Sequence, residues 1–272
     1  MDFTTIRCER EGPLFWITLN RPDKLNAISG AMVAELNRAL DDCERDEQVR
    51  VILVRGEGRA FSAGFDLEPG AAGSQTREVE LAALRQELRD DFDLIMRLWD
   101  SPKPTIAAVH GYCLGGAFEL AIACDLTIAA RGCRLGEPEV KFGSGIVALL
   151  LPFLCGTKRA RELLYTGNDR VTPEQAEAWG LVNRVTDPES LVEEARGLAR
   201  EIARNDQLAV RLTKQALNNA CEIPRMRDAL EHALEVDVTI ESTETEESRQ
   251  FNEILKTEGT RAAIAWRDAR LG

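Results

Sequence analysis

Residues 105–130 read TIAAVHGYCLGGAFELAIACDLTIAA. A β-branched run (Thr105–Val109) leads through a glycine-rich turn into a helix-compatible run, AFELAIAC, and then into a second β-like run, LTIAA. The order strand, glycine turn, helix, strand predicts an α/β unit whose first helical N–H groups, at Gly115 and Gly116, have no intrahelical partner. The same order stands at the start of the chain. PLFWITLN is followed by the polar turn NRPDKLN, a helical stretch and VRVILVRGEG. In SGAMVAELNRALDDCE (29–44), Met32, Val33, Leu36 and Leu40 recur at three- and four-residue spacing behind a Ser29 cap, which predicts an amphipathic helix lying on a sheet. VRVILVRGEGRAFSAGFDL and PTIAAVHGYCLGGAFEL rhyme, each running from strand through glycine turn to helix.

Farther along, GAAGSQ (70–75) is a small-residue loop. From Thr76 to Trp99 the apolar positions Leu81, Leu84, Leu88, Phe92, Ile95 and Trp99 keep a helical period, which SPKP ends. Beyond about residue 190 the pattern is nearly all helical. The expected organisation is therefore an α/β core over residues 1–195 and a C-terminal helical region over 196–272.

The chain has 272 residues, 44% of them hydrophobic and 29% charged, the composition of an ordinary globular protein with enough length for a substantial core. Forty-six acids against 34 bases give a net charge of −12, a field that repels polyanions and argues against nucleic-acid binding. Seven cysteines without a C-x-x-C pair predict reduced, mostly buried thiols and a cytoplasmic or other reducing compartment. MDFTTIRCEREG lacks the apolar core of a signal peptide, and GIVALLLPFLC is too short to span a bilayer, so no membrane association is expected.

Several chemistries drop out. Gly56 and Gly58 are followed by Phe61 where a dinucleotide fingerprint needs its third glycine, and no phosphate-binding G-x-x-x-x-G-K-[ST], G-x-S-x-G or H-E-x-x-H motif occurs. With His110 and His232 as the only histidines, a histidine-rich metal site is excluded. His110 is expected to make a hydrogen bond at a strand end.

What remains is an oxyanion site flanked by acids. The amides at Gly115–Gly116, at the positive end of a helix, and that of Ala63 in AFSAG, a turn made flexible by Gly64, can polarise a carbonyl and hold its enolate. Alternatively, these glycines serve only tight turns. Glu119 lies three residues after Gly116, and Glu139 twenty further on in GEPEV. A pair of carboxyls facing one water can divide the work of base and acid; Glu119 can equally be an ordinary helix-start acid and Glu139 a loop charge.

These segments, with NRPDKLNAIS, GRAFSAGFDL, GEPEVKFG, RELLYTGNDRVTPEQAEAWGLVNRV and EGTRAAIAWRDAR, resemble the crotonase superfamily of enoyl-CoA hydratases and isomerases over nearly the whole chain. The resemblance implies a spiral of ββα units with a C-terminal helical region used in trimer formation, giving a homotrimer or a dimer of trimers. It implies hydration of a 2-enoyl-CoA to a 3-hydroxyacyl-CoA, or the reverse. Double-bond isomerisation is the nearest rival, and an acyl-CoA-binding protein without turnover a further one. No separate cofactor is implied, since coenzyme A is part of the substrate. By similarity Glu119 and Glu139 match the catalytic glutamates, Ala63 and Gly116 the oxyanion positions, and Lys24, Ala63, Gly64, Asp66, Leu67 and Gly116 the substrate-binding positions. Lys24 can also be a solvated turn lysine, and Asp66 a helix cap. The chain departs from the family after Glu139, reading FGSGIVALLLPFLCG without the usual G-x-x-P-x-x-G. Ile146, Val147, Leu149 and Leu150 there either form a hydrophobic acyl pocket or belong to the core.

Overall fold

The computed structural model describes residues 3–66, 77–142, 144–222 and 245–269. An antiparallel hairpin, β1 (Ile6–Glu11) and β2 (Leu14–Leu19), opens a six-stranded sheet. The other strands, β3 (Val51–Gly56), β4 (Thr105–Val109), β6 (Leu126–Ala130) and β8 (Arg184–Thr186), join β2 in parallel, in the order β1-β2-β3-β4-β6-β8. A second, two-stranded parallel sheet pairs β5 (Tyr112–Leu114) with β7 (Arg134–Gly136).

Strand alternation sorts the apolar side chains into two cores. Ile52 and Val54, Ala107 and Val109, and Ala129 face one side, where α1 (Gly30–Arg45), α2 (Arg77–Asp100) and α3 (Gly116–Ala123) supply Met32, Leu36, Leu40, Leu94, Ile95, Leu98 and Phe118. Val51 and Leu53, Ile106 and Ala108, and Ile128 and Ala130 face the other side, against α7 (Leu191–Ala203). That helix lays Ala195, Ala199 and Ala203, spaced four apart, on the sheet. The expected boundary at residue 195 thus falls inside a helix whose apolar face belongs to the core.

The helix expected over 29–44 forms behind Ser29, whose Oγ accepts the Met32 N–H. The helix expected from residue 76 also forms, but its apolar periodicity overstates its burial. Leu94, Ile95 and Leu98 enter the core and Phe92 and Trp99 pack against it, whereas Leu84 and Leu88 are exposed. Three short helices, α4 (Leu151–Cys155), α5 (Thr157–Thr166) and α6 (Pro173–Ala178), separate β7 from β8. After α7 come α8 (Gln207–Glu222), α9 (Glu246–Glu258) and α10 (Thr260–Ala269). The buried Lys214 ties α8 to the core: its Nζ donates to the carbonyls of Leu98 and Lys103, both at 3.2 Å, and to Asp125 Oδ2 at 2.8 Å.

The turn between β2 and α1 holds down the loop that follows β3. Leu25 and Asn26 are left-handed (φ +51° and +56°), a costly conformation for side-chain-bearing residues. Fully buried Asn26 uses it to place Nδ2 within 2.9 Å of the carbonyl of Glu57, 2.8 Å of Ala60 and 3.1 Å of Phe61. Its Oδ1 accepts the N–H of Arg21 at 2.9 Å. Asn26→Ala strands these buried groups. Urea unfolding should show a loss of about 3 kcal/mol, and a change below about 0.5 kcal/mol would contradict this account.

Candidate active site

The site is built where three backbone segments approach more closely than side chains permit. The loop after β3 runs beside β5: Phe61 N–H donates to His110 O (2.8 Å), Ser62 N–H to Tyr112 O (3.0 Å) and Leu114 N–H to Ser62 O (3.3 Å). A Cβ on Gly64 would stand 2.9 Å from Leu114 O and 3.6 Å from Gly116 N. At Gly116 it would meet the Phe65 ring at 2.2 Å, and at Gly115 (φ +56°) it would meet Glu139 Oε1 at 2.0 Å. The left-handed backbone favours glycine at Gly115, and the bare backbone at Gly115 and Gly116 lets the Glu139 carboxyl and the Phe65 ring rest on the start of α3.

Two amides face this junction. Ile28 donates its N–H to Gly64 O and accepts the N–H of Asp66, each at 2.9 Å, so the N–H of Phe65 between them points away from Ile28. Among the described residues neither Phe65 N–H nor Gly116 N–H has a hydrogen-bond partner. The expected donor Ala63 is different: its N–H is committed to Leu25 O at 3.0 Å. The left-handed Leu25 turns its carbonyl onto this amide, and the open position in the turn shifts two residues, to Phe65.

Three glutamates surround the amides. Glu119, in the first turn of α3, is 1% exposed, and its carboxylate accepts the N–H of Val147 at 3.2 Å and that of Ala148. Burial pushes its carboxyl up to about 7, the nearby carboxylates of Glu139 and Asp91 add to the rise, and the two N–H donors oppose it. Glu139 opens the 3-10 turn Glu139–Phe142 and rests its Oε1 on Gly115. Its carboxyl is also raised by burial, with a hydrogen bond from Glu137 pulling the other way. Glu137, which sequence reasoning passed over, is fully buried. No N–H or O–H of another described residue reaches its carboxyl oxygens, and the group within hydrogen-bonding reach is the carboxyl of Glu139. The signal lay in G-E-P-E, where alternate residues of an extended segment share a side.

A site of this form sits on a chain whose residues 9–260 match the family model described as enoyl-CoA hydratase/isomerase. The chain belongs to the enoyl-CoA hydratase/isomerase family. A crystal structure of an enoyl-CoA hydratase/isomerase from Xanthobacter autotrophicus Py2 is 46% identical, covers 100% of both chains and superposes with a TM-score of 0.76. A crotonyl-CoA hydratase of Syntrophomonas wolfei is 37% identical over 228 residues, 82% of this chain and 84% of that one. A carnitinyl-CoA dehydratase of Salmonella arizonae is 38% identical over 216 residues, 78% and 79% of the two chains. The crotonase fold expected from the motifs is thereby shown.

The remaining residues expected to bind substrate are placed as follows by the fold. Lys24 ends the exposed 3-10 turn Pro22–Lys24. Asp66 does not stand alone as a cap: its Oδ2 accepts from Arg21 Nη1 at 2.8 Å. Arg21, Phe65 and Asp66 border a cleft of about 960 Å³ between α1 and α2. Leu67 lies outside the described residues. Of the apolar residues after Glu139, Val147 and Leu150 pack on the larger core and Leu149 is exposed, while the backbone at Val147 and Ala148 serves Glu119. His110 makes the expected strand-end bond, Nε2 to Gly58 O at 2.9 Å. Five of the seven cysteines, all of them unbridged, are buried. Among the described residues no group of three His, Cys, Asp or Glu side chains is arranged to hold a metal ion, and no helix is long and apolar enough to cross a membrane.

The Glu119 shift has a thermodynamic consequence. Its carboxyl moves from an ordinary 4.5 to about 7 on folding, so the folded chain binds this proton more tightly than the unfolded chain. The resulting stability is complete below about pH 4.5 and is lost as pH rises through about 7. Glu119→Gln has no such slope. Between pH 4.5 and 8 its unfolding free energy should gain about 3 kcal/mol on that of the wild type in urea titrations. A difference independent of pH would contradict the buried, raised carboxyl.

Proposed function

We propose that the protein adds water to a 2-enoyl-CoA thioester to give a 3-hydroxyacyl-CoA, or removes it in reverse. The observation that carries this reading is the meeting of a buried carboxyl, Glu119, and a half-buried one, Glu139, with two unpartnered amides, Phe65 and Gly116. Hydration across a conjugated thioester needs these parts. A base takes a proton from water as its oxygen attacks the β-carbon, electron density moves to the thioester oxygen, and an acid returns a proton to the α-carbon.

The amides of Phe65 and Gly116 supply the electrostatic part. Both point into the junction, and Gly116 adds the positive end of α3. An enolate oxygen between them accepts two N–H bonds, each worth about 3 kcal/mol in the transition state. Burial keeps Glu119 near the boundary between its charged and neutral forms at neutral pH, so the pair can hold one proton and lack another. The two glutamates then work as one titrating unit, one taking the water proton and the other supplying the α-carbon proton. Arg21, Lys24 and the backbone at Gly64–Asp66 are proposed to border the coenzyme. Two bases there offset the acidic chain around the phosphates of coenzyme A.

The same reading carries the proposal that the chain assembles as a trimer or a dimer of trimers. Phe153 and Tyr165 stand 74% and 77% exposed, as interface aromatics do in a single chain.

Incubation with crotonyl-CoA tests the reaction. The conjugated thioester absorbance should fall as the product gains the mass of one water, and Glu119→Gln and Glu139→Gln should each lower kcat by about a hundredfold or more. An unchanged product mass with a moved double bond would assign isomerisation instead. Turnover within a few-fold of wild type in both variants would overturn the two-carboxyl mechanism.

A further inference from the structure

Glu137 is the one member of the acidic cluster for which the proposed reaction has no use, and its burial is the most complete. β7 delivers it. Gly115 N–H donates to Gly136 O at 2.8 Å, and Glu137 N–H donates to Asn168 O at 3.0 Å, so the peptide group that leads into Glu137 is pinned through both its carbonyl and its N–H. Gly136 (φ +151°) passes so close to the turn at Asn168 that a Cβ would stand 2.0 Å from the Asn168 carbonyl. Pro138 then fixes the path into the 3-10 turn that begins at Glu139. The two carboxyls are thus forced together by a backbone with little freedom to separate them.

Two carboxylates cannot occupy this place. The ionisable groups acting on Glu137 are Glu119 from α3 and Glu139 from its own segment, and the thiol of Cys113 on β5 lies near it on the other side. None is a cation. On the neighbouring segments Arg134 Nη2 and Lys141 Nζ are both bound to Asp169, at 2.6 and 2.8 Å. An ion here would be desolvated and opposed by like charge, which favours the neutral acid. A neutral carboxyl brings an O–H, and the acceptor within reach is Glu139, whose Oε2 is buried without another donor among the described residues. Glu139 is better placed to carry the charge. It is half-buried rather than fully buried, and its Oε1 lies against Gly115 at the positive end of α3.

We propose that Glu137 is a positioning residue: its neutral carboxyl donates its proton in a hydrogen bond to the carboxylate of Glu139 and holds that group over Gly115. The proton stays on Glu137 throughout, so the bond fixes the orientation of Glu139 and consumes nothing during turnover. Burial and the two neighbouring carboxylates hold the Glu137 carboxyl well above its ordinary value. Losing that proton would bring a second charge against Glu139. The positioning role rests on the proposed hydration; the shared proton does not.

The test uses the full chain with Glu137→Gln, which keeps an N–H donor but cannot ionise, and Glu137→Leu, which keeps neither. At alkaline pH the wild type should show a carboxylic-acid carbonyl band in the infrared that is missing from Glu137→Gln. With crotonyl-CoA at pH 7, Glu137→Gln, which keeps a donor to Glu139, should keep kcat within about threefold. Glu137→Leu should lose about tenfold or more in kcat with KM little changed. An infrared spectrum identical in wild type and Glu137→Gln would overturn the proposal whether or not the wild type turns over. So would a folded Glu137→Leu with wild-type kcat. Should Glu137→Leu fail to fold, the infrared band still decides. A wild type that shows the band but hydrates no enoyl-CoA overturns the reaction assigned to the site and leaves the carboxyl pair standing.

Discussion

A Cβ on Gly115 would lie 2.0 Å from Glu139 Oε1, and one on Gly116 would lie 2.2 Å from the Phe65 ring. The site exists because the chain carries no side chain at these two points. With them bare, the start of α3 becomes a floor on which a carboxyl from one segment and an amide turn from another can rest. Much of the surrounding structure holds those segments down. Asn26 clamps the loop after β3 through the carbonyls of Glu57, Ala60 and Phe61, and the hydrogen bond from Gly115 to Gly136 joins α3 to the strand that leads to Glu139. The left-handed backbone at Leu25 and Asn26 is strain spent on this clamp.

Electrostatics then sets what such a junction can do. Glu119, Glu137 and Glu139 are gathered with no lysine or arginine among the groups that act on them, and water is largely excluded from Glu119 and Glu137. Three full charges in that space would be prohibitive, so the cluster must share protons. Graded burial offers a division: a neutral Glu137, a Glu119 balanced near neutrality, and a Glu139 held at a helix N-terminus. In the proposed reaction, a group that must accept a proton and a group that must give one occur side by side at neutral pH.

The sheet was readable because its strands carry apolar residues on both faces, as in TIAAV and VILV, and because each is followed by glycine and then helix. The nearness of Glu119 to the Gly116 turn is legible in their three-residue spacing, whereas Glu139, twenty residues further on, is singled out by the family resemblance and not by spacing. The Ala63 amide was misread since the direction of an N–H depends on pairing across the chain. Leu25 O and Ile28 decide which amide in FSAGF is spent and which is open, and no local pattern in those five residues shows it. Glu137 escaped notice because a single glutamate beside a proline looks like a loop charge until the fold buries it. Leu84 and Leu88 misled for the opposite reason, their helical period being correct while the core meets α2 from Phe92 onward.

The central claim is that the Phe65 and Gly116 amides, with the glutamates beside them, stabilise the enolate of a thioester. Exchange of the α-protons of butyryl-CoA in deuterated water, followed by NMR, tests this without requiring hydration or isomerisation. Protein-dependent exchange that is strongly reduced in both Glu119→Gln and Glu139→Gln is the predicted result. Exchange no faster than in protein-free buffer, with butyryl-CoA shown to be bound, would contradict it.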